Sequence, residues 1–165
     1  MQIDVERTVR AGGRIDADFP RGSLDWGEER EIGADRFLLR GSLARVGRGY
    51  EFDANLSGSV GLECVRCLES FSIELDFDFR LTFVSAMNPE DHPGGEVQIQ
   101  EADCELYPSV EGKVELEALV REQIYLHLPL KPVCMESCRG LCASCGENLN
   151  SGRCRCASPA RVRLV

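Results

Sequence analysis

Residues 71–84 read "FSIELDFDFRLTFV", and this stretch carries the clearest structural signal in the chain. Every second residue in it is apolar, and these residues are Phe71, Ile73, Leu75, Phe77, Phe79, Leu81 and Phe83. A period of two predicts a half-buried β-strand with one face toward a core. A row of aromatic side chains can also stack nucleic-acid bases. We interpret this row as core, because the acidic residues on the opposite face repel phosphate.

The residues before this strand predict a long hairpin. Residues 37–46 read "FLLRGSLARV", and a Gly-Arg-Gly turn leads into "YEFDANLSGSVGLEC" at residues 50–64. The second run again alternates apolar with polar residues, and a glycine-rich turn between two such runs is typical of a hairpin. Gly58 and Gly61 predict a bulge or bend in the strand. Nearer the start of the chain, a short strand is expected at Ile3–Val9.

A helix is predicted beyond an acidic stretch. Residues 85–113 hold seven acidic residues and one lysine, and we expect a long loop there with a short strand near Val97–Ile99. The following "KVELEALVREQIYLHLP" changes to a helical period, and Pro129 marks the end of the helix. Its apolar face comprises Leu116, Leu119, Val120 and Ile124.

Composition and charge bound the class of protein. The 165 residues are 43% hydrophobic and 28% charged, which is typical of a soluble globular chain. The charged first residues predict no signal peptide, and no apolar run approaches the roughly 18 residues of a membrane span, so we expect a cytoplasmic protein without a membrane partner. Net charge is −13 over residues 1–130 and +4 over residues 131–165. The acidic part disfavours broad nucleic-acid binding, but the basic part is compatible with a few phosphate contacts.

Cysteines dominate the C-terminal part. Residues 134–156 read "CMESCRGLCASCGENLNSGRCRC" and hold six of them, while "ECVRC" at residues 63–67 holds two more. Thiolates are soft ligands, and four complete the tetrahedral shell of a structural zinc ion. Eight cysteines therefore suit two zinc ions. The preferred grouping is Cys64, Cys67, Cys134 and Cys138 on one ion, with Cys142, Cys145, Cys154 and Cys156 on the other.

Other uses of these cysteines remain as alternatives. The two sets can exchange members, for instance with Cys64 and Cys67 sharing an ion with Cys142 and Cys145, and a single metallated site is a further alternative. Disulfides are disfavoured by the odd count and the expected reducing compartment. "CRGLCASC" has the spacing of an iron–sulfur triplet, and although too few residues follow it for a radical enzyme, a simpler iron–sulfur cluster is a further alternative. A thiol-redox Cys-x-x-Cys pair would lie at a strand-to-helix turn, whereas Cys64 and Cys67 lie between two predicted strands. Cys104 is interpreted as a free thiol.

These signals together predict an α+β fold. It comprises an antiparallel β-rich body with long hairpins, one principal helix and a C-terminal cysteine-rich zinc-binding module. We expect the body and helix at residues 1–130, the zinc module packed on the 64–67 knuckle at residues 131–156, and a basic tail at residues 157–165. No phosphate loop, open histidine-containing zinc site or nucleophile elbow occurs, so we expect neither an enzyme nor a small-molecule substrate.

Three motifs in combination resemble a known family. They are "ECVRCLESF", "VELEALVREQIYLHLPLKPVC" and "CRGLCASCGENLN". The chain from about Gly58 to Cys156 is similar to the YceD-like family, also called large ribosomal RNA subunit accumulation proteins. The resemblance implies a non-enzymatic role in building the large ribosomal subunit, with 23S ribosomal RNA failing to accumulate without the protein. It also implies that the first of the two cysteine sets recurs among family members, including some that lack the second set.

Two functional hypotheses follow. The first is a zinc-stapled adaptor in large-subunit assembly, whose acidic body binds a basic ribosomal protein or another assembly factor. Contact with ribosomal RNA would then rest on the arginines of the C-terminal part, which can equally be solvated: Arg139, Arg153, Arg155, Arg161 and Arg163. The second hypothesis is a zinc-dependent protein interaction module in another process, such as transcription. Composition does not separate the two.

Overall fold

The computed structural model describes residues 1–26, 33–47, 49–85, 106–152 and 154–156. Their elements, in chain order, are β1 (Gln2–Asp4), α1 (Val5–Arg10), β2 (Arg14–Phe19), β3 (Gly33–Val46), β4 (Gly49–Glu63), β5 (Ser70–Ser85), β6 (Leu106–Ser109), β7 (Lys113–Glu115) and α2 (Leu116–His127). Among the described residues, no helix is both long enough and apolar enough to span a membrane.

The described strands form two sheets. The larger has the strand order β2-β3-β4-β5-β6, and β1 pairs with β7 in a second, two-stranded sheet. The pairs β2–β3, β3–β4 and β4–β5 are antiparallel, and the β4–β5 pairing runs from Tyr50 opposite Phe83 to Glu63 opposite Ser70. β6 joins β5 in parallel. The predicted fold class is confirmed: the body is strand-rich with long hairpins, one main helix follows, and a cysteine-rich segment comes after the helix.

The core lies between the inner face of the larger sheet and α2. β4 contributes Phe52, Leu56 and Val60, all fully buried, because alternate residues of a strand point to one side. From the aromatic row on β5, Phe83 is fully buried and the other six side chains pack half-buried against the same core. The row therefore serves packing, as expected.

A bulge lies opposite Gly58, but its extra residue is in β3 rather than in the glycine-bearing strand β4. The β3–β4 register shifts between Ala34 and Phe37, and Phe37 pairs with Gly58. A Cβ on Gly58 would collide with the backbone carbonyl oxygen of Arg36 and would lie 2.6 Å from the Phe37 ring. Only glycine lets the two backbones approach this closely.

The strand expected at Ile3–Val9 is wrong beyond Asp4. α1 begins at Val5, and the Asp4 carboxylate accepts a hydrogen bond from the backbone N–H of Arg7 at 2.8 Å. An N-cap aspartate followed by valines four residues apart favours a helical turn, which buries Val5 and leaves Asp4 to end β1.

The principal helix matches its prediction. All four residues of its predicted apolar face are buried, and Leu128 turns extended immediately before Pro129, as proline requires of its predecessor. The Trp26 ring packs edge-on against Tyr125 at 5.3 Å, and Arg121 donates to the carbonyl oxygen of Asp25. These contacts fix the position of α2 and therefore the point at which the chain leaves the helix. The predicted strand at Val97–Ile99, Cys104 and the tail at residues 157–165 lie outside the described residues.

Candidate metal centres

The inner knuckle, residues 64–69, turns the chain from β4 into β5. The N–H of Cys64 donates to the carbonyl oxygen of Glu69, and the N–H of Leu68 donates to that of Cys64, both at 2.9 Å. Leu68 takes a left-handed backbone, with φ of 60°, to complete the turn. This tight turn buries Cys64 and Cys67 together at the end of the sheet.

After α2, the chain passes alongside the inner knuckle. The N–H of Val65 donates to the carbonyl oxygen of Pro132 at 2.9 Å. The Arg66 guanidinium donates to the carbonyl oxygens of Glu136 and Cys138 at 3.2 and 3.1 Å. Backbone and side-chain hydrogen bonds from the knuckle therefore hold the segment that carries the next two cysteines.

The inner cluster consists of Cys64, Cys67, Cys134 and Cys138. Its four sulfurs lie within 4.8 Å of one another, with Cys64 and Cys138 at 3.8 Å and Cys67 and Cys134 at 3.7 Å. A disulfide needs about 2.05 Å. A tetrahedral ion with metal–sulfur bonds of about 2.3 Å separates its sulfurs by about 3.8 Å. The spacing therefore fits a four-coordinate metal ion.

The outer cluster consists of Cys142, Cys145, Cys154 and Cys156. These sulfurs also lie within 4.8 Å of one another, with Cys142 and Cys154 at 3.2 Å and Cys145 and Cys154 at 3.5 Å. Three members of the inner cluster are buried, whereas Cys145 and Cys156 are exposed. The structure thus brings the eight cysteines together in the two sets that the preferred grouping assigned, and it places Cys138 apart from the other two cysteines of the iron–sulfur triplet.

The outer knuckle, residues 142–147, repeats the inner one. The N–H of Cys142 donates to the carbonyl oxygen of Glu147 at 2.8 Å, and the N–H of Gly146 donates to that of Cys142 at 2.9 Å. Gly146 has φ of 75°, in the same left-handed region as Leu68. Sequence reasoning missed this repeat, although both segments share the pattern Cys-x-x-Cys-x-Glu.

The thiols of the two clusters differ in acidity. Burial alone would raise the pKa of Cys64, but backbone N–H groups, first that of Cys134, donate to its sulfur and lower the pKa to about 6. The N–H of Ser144 does the same for Cys142 and lowers its pKa to about 6. Burial, and then neighbouring thiols, raise the pKa of Cys134 to about 12, and neighbouring thiols raise that of Cys156 to about 12. Each cluster therefore contains one cysteine that ionises near neutral pH and one that stays protonated until a bound cation compensates the charge of its thiolate.

A polar link joins the two clusters. The Asn150 side chain donates to the Cys138 sulfur at 3.3 Å and accepts from the Arg139 N–H at 2.8 Å. The Asn148 side chain donates to the Glu69 carboxylate at 3.2 Å. Sequence analysis did not single out either asparagine, because both contacts depend on the fold.

Both clusters can hold a metal ion. Within the described residues, each candidate group is made of cysteines alone, and four thiolates complete a tetrahedron without leaving a position for a reactive water. The predicted arginines are placed only in part: Arg139 and Arg155 are exposed, while Arg153, Arg161 and Arg163 lie outside the described residues. Fold and site together define a strand-rich protein whose sheet is joined to its C-terminal segment by a four-cysteine cluster of the structural type.

Comparison with known proteins gives the family. Residues 52–162, about two thirds of the chain, match the family described as large ribosomal RNA subunit accumulation protein YceD. The chain belongs to this family, which confirms the resemblance carried by its three motifs. The match takes in most of β4, all of β5 and α2, and both clusters.

Individual relatives match shorter segments. A protein of Zea mays named large ribosomal RNA subunit accumulation protein YCED homolog 1, chloroplastic, is 35% identical over 51 residues, covering 30% of this chain and 17% of the relative. The Arabidopsis thaliana protein of the same name is 28% identical over 50 residues, covering 30% and 16%. An uncharacterised Mycobacterium leprae protein is 28% identical over 87 residues, covering 53% and 37%. The chain thus spans well under half the length of these relatives. No solved structure matches.

Proposed function

We propose that this protein is a non-enzymatic factor in large ribosomal subunit biogenesis that supports accumulation of 23S ribosomal RNA. The single observation that carries the proposal is the family match over the part of the chain that contains both cysteine clusters. The family is named for large ribosomal RNA subunit accumulation, and two relatives carry that name. We place its action in the cytoplasm.

We further propose zinc as the ion, with the inner cluster binding one ion and the outer cluster a second. The sulfur spacing and the all-thiolate ligand sets support zinc, which favours closed tetrahedral thiolate sites. An alternative with one ion keeps only the inner cluster loaded. Bound zinc would supply a cross-link between the inner knuckle and the segment after α2. In domain terms, the ion joins a body at residues 1–130 to a module at residues 131–156.

The adaptor role rests on the distribution of charge. The outer face of the larger sheet carries Glu74, Asp76 and Asp78 in a row on β5, all exposed, and the Asn55 amide donates to the last two at 2.9 and 3.0 Å. Such a face suits a basic ribosomal protein or assembly factor rather than RNA. Contact with ribosomal RNA is proposed for the C-terminal arginines, of which Arg139 and Arg155 are described and exposed.

The test is co-sedimentation combined with RNA quantification. Cell lysate is fractionated on a sucrose gradient, the protein is located, and 23S RNA is measured with and without it. We expect the protein in precursor large-subunit fractions and a fall in 23S RNA on depletion. A slow-sedimenting protein with unchanged 23S RNA would overturn the ribosomal role and favour an interaction module in another process, such as transcription.

Elemental analysis and two double variants separate the parts of the proposal. Elemental analysis of the purified protein distinguishes zinc from iron and one ion from two. Cys64→Ser with Cys67→Ser should remove one ion, and this variant should fail to restore 23S RNA when it replaces the depleted protein. Arg139→Glu with Arg155→Glu should weaken association with the particle while leaving the metal content unchanged. Unchanged co-sedimentation of the arginine variant would count against the RNA contact alone.

A further inference from the structure

The Asn150 side chain reaches from the loop of the outer cluster to the inner cluster in a fixed orientation. A backbone N–H can only donate, so the amide atom that lies 2.8 Å from the Arg139 nitrogen must be the oxygen. The amide NH₂ group therefore faces the Cys138 sulfur, 3.3 Å away. The orientation that is usually ambiguous for an asparagine is settled here by its partner.

The loop that carries Asn150 belongs to the outer cluster. It runs from Cys145 to Cys154, and its ends are held where these two sulfurs meet at 3.5 Å. Within it, the N–H of Asn150 donates to the Asn148 side chain at 2.9 Å. The N–H of Leu149 donates to the carbonyl oxygen of Gly140 at 2.9 Å, which lies two residues beyond Cys138 in the inner cluster. The loop thus has one anchor in each cluster.

We propose that Asn150 is a positioning residue through which an ion in the outer cluster strengthens metal binding by the inner cluster. The proposal rests on the metal binding put forward in the proposed function. With the outer ion bound, the loop ends are fixed, and the amide donates to a thiolate of the inner cluster. A hydrogen bond to a metal ligand fixes its orientation and stabilises its charge, and loss of such partners typically costs about 10–100-fold in metal affinity.

The coupling runs in both directions. If an ion in the outer cluster raises the affinity of the inner cluster, thermodynamic linkage requires the inner ion to raise the affinity of the outer cluster by the same factor. The difference in burial gives the order of release: three of the four inner cysteines are buried, whereas Cys145 and Cys156 are exposed to competing chelators. The outer ion is therefore the one that leaves first, and its departure loosens the inner one.

The experiment measures metal release from the full chain. The metal content of the wild type is determined first, and ions are then withdrawn with an excess of a chromophoric chelator under reducing conditions. Release from the inner cluster is followed in the wild type, in Asn150→Ala, in Cys142→Ser with Cys145→Ser, and in the variant that combines all three substitutions. We expect Asn150→Ala to accelerate release from the inner cluster by about tenfold.

The combined variant makes the test specific. Once the outer cluster is unable to bind, the loop loses its anchor at Cys145 and Cys154 and keeps only its hydrogen bonds to the inner side. Asn150 is then held less firmly, so Asn150→Ala should add less than about twofold in the Cys142→Ser, Cys145→Ser background. Asn150→Asp keeps the acceptor for Arg139 but places a negative charge against the Cys138 thiolate, so it should release metal faster than Asn150→Ala. Asn55→Ala is the matched control, since Asn55 also bridges two polar groups but lies on the outer sheet face away from the cysteines.

Cobalt gives a second readout that does not depend on release rates. In the cobalt-loaded protein, Asn150→Ala should shift the sulfur-to-cobalt charge-transfer band of the inner cluster, and Asn55→Ala should not. Wild type with two ions but equal release rates and an unmoved band in Asn150→Ala would overturn the coupling and leave the proposed zinc sites standing. A wild-type protein that binds no metal would overturn both.

Discussion

Leu68 and Gly146 occupy the same position in two copies of one knuckle. Each follows the second cysteine of a Cys-x-x-Cys pair, each takes a left-handed backbone, and the N–H of each donates to the carbonyl oxygen of the first cysteine at 2.9 Å. Glycine adopts this conformation without strain, whereas for leucine it costs about 1–2 kcal/mol. Leu68 is also 57% exposed, so packing offsets little of that cost.

Replacement of the two residues should have opposite effects on stability. Leu68→Gly relieves strain but adds freedom to the unfolded chain, and we expect a net gain of about 0.5 kcal/mol in the free energy of unfolding. Gly146→Ala meets no atom within 4 Å, so its cost of about 1 kcal/mol is conformational. Urea denaturation of the metal-loaded protein measures both. A loss exceeding 1 kcal/mol for Leu68→Gly would mean that the leucine side chain holds a contact that matters.

Gly140 gives a steric counterpart to this pair. It also has a left-handed backbone, with φ of 71°, but a Cβ there would lie 2.9 Å from the carbonyl oxygen of Arg66 in the inner knuckle. Gly140→Ala should therefore lower the free energy of unfolding by about 2–3 kcal/mol, which is more than the effect of Gly146→Ala. The reason is that backbone atoms, rather than a movable side chain, must shift to make room. The same denaturation series ranks the two alanines. Equal effects would contradict close packing of Gly140 on the knuckle.

Local periodicity accounts for what the sequence predicted. Alternation predicts β4 and β5, the helical period predicts α2, and the spacing of eight cysteines favours two groups of four while leaving exchange between them open. Contacts between residues that are distant in sequence could not be predicted from local patterns. The parallel pairing of β5 with β6 and the donation from Asn150 to Cys138 depend on where the fold returns the chain. The strand predicted at Ile3–Val9 was wrong beyond Asp4 for another reason. A segment of three or four residues fits a strand period and a helical period equally well, and the Asp4 N-cap favours the helix.

Metal removal should loosen the C-terminal module and spare the sheet. An ion in the inner cluster closes a loop of roughly seventy residues between Cys67 and Cys134, and the chain-entropy account of such a cross-link gives about 4 kcal/mol. The core of β3, β4 and β5 does not use the cysteines. We expect chelation under reducing conditions to expose the amides of residues 130–156 to hydrogen exchange while the strands stay protected. Uniform loss of protection across β3–β5 would instead make the ion essential to the whole fold.

The Cys64 thiol should make the stability of the metal-free protein depend on pH. Folding lowers its pKa from 9.0 to about 6, so the folded state favours the thiolate. The resulting stabilisation is full above pH 9, declines as the pH falls from 9 to 6, and is absent below pH 6. The difference in unfolding free energy between metal-free wild type and metal-free Cys64→Ser should therefore grow from pH 6 to pH 9. A difference that is flat over this interval would contradict the lowered pKa.

The acidic face on β5 should decide association with the ribosomal precursor. Asp76→Lys with Asp78→Lys reverses two charges beside Asn55 without touching the core, because both side chains are exposed. If a basic partner binds this face, the variant should leave the precursor fractions of the gradient, and wild-type association should weaken as salt rises. Glu6→Lys with Glu111→Lys is the matched control, since it makes the same change of charge at exposed positions away from the outer face of the sheet. Equal loss of association in both variants would assign the effect to net charge, and no loss in either would remove the β5 face from the interaction.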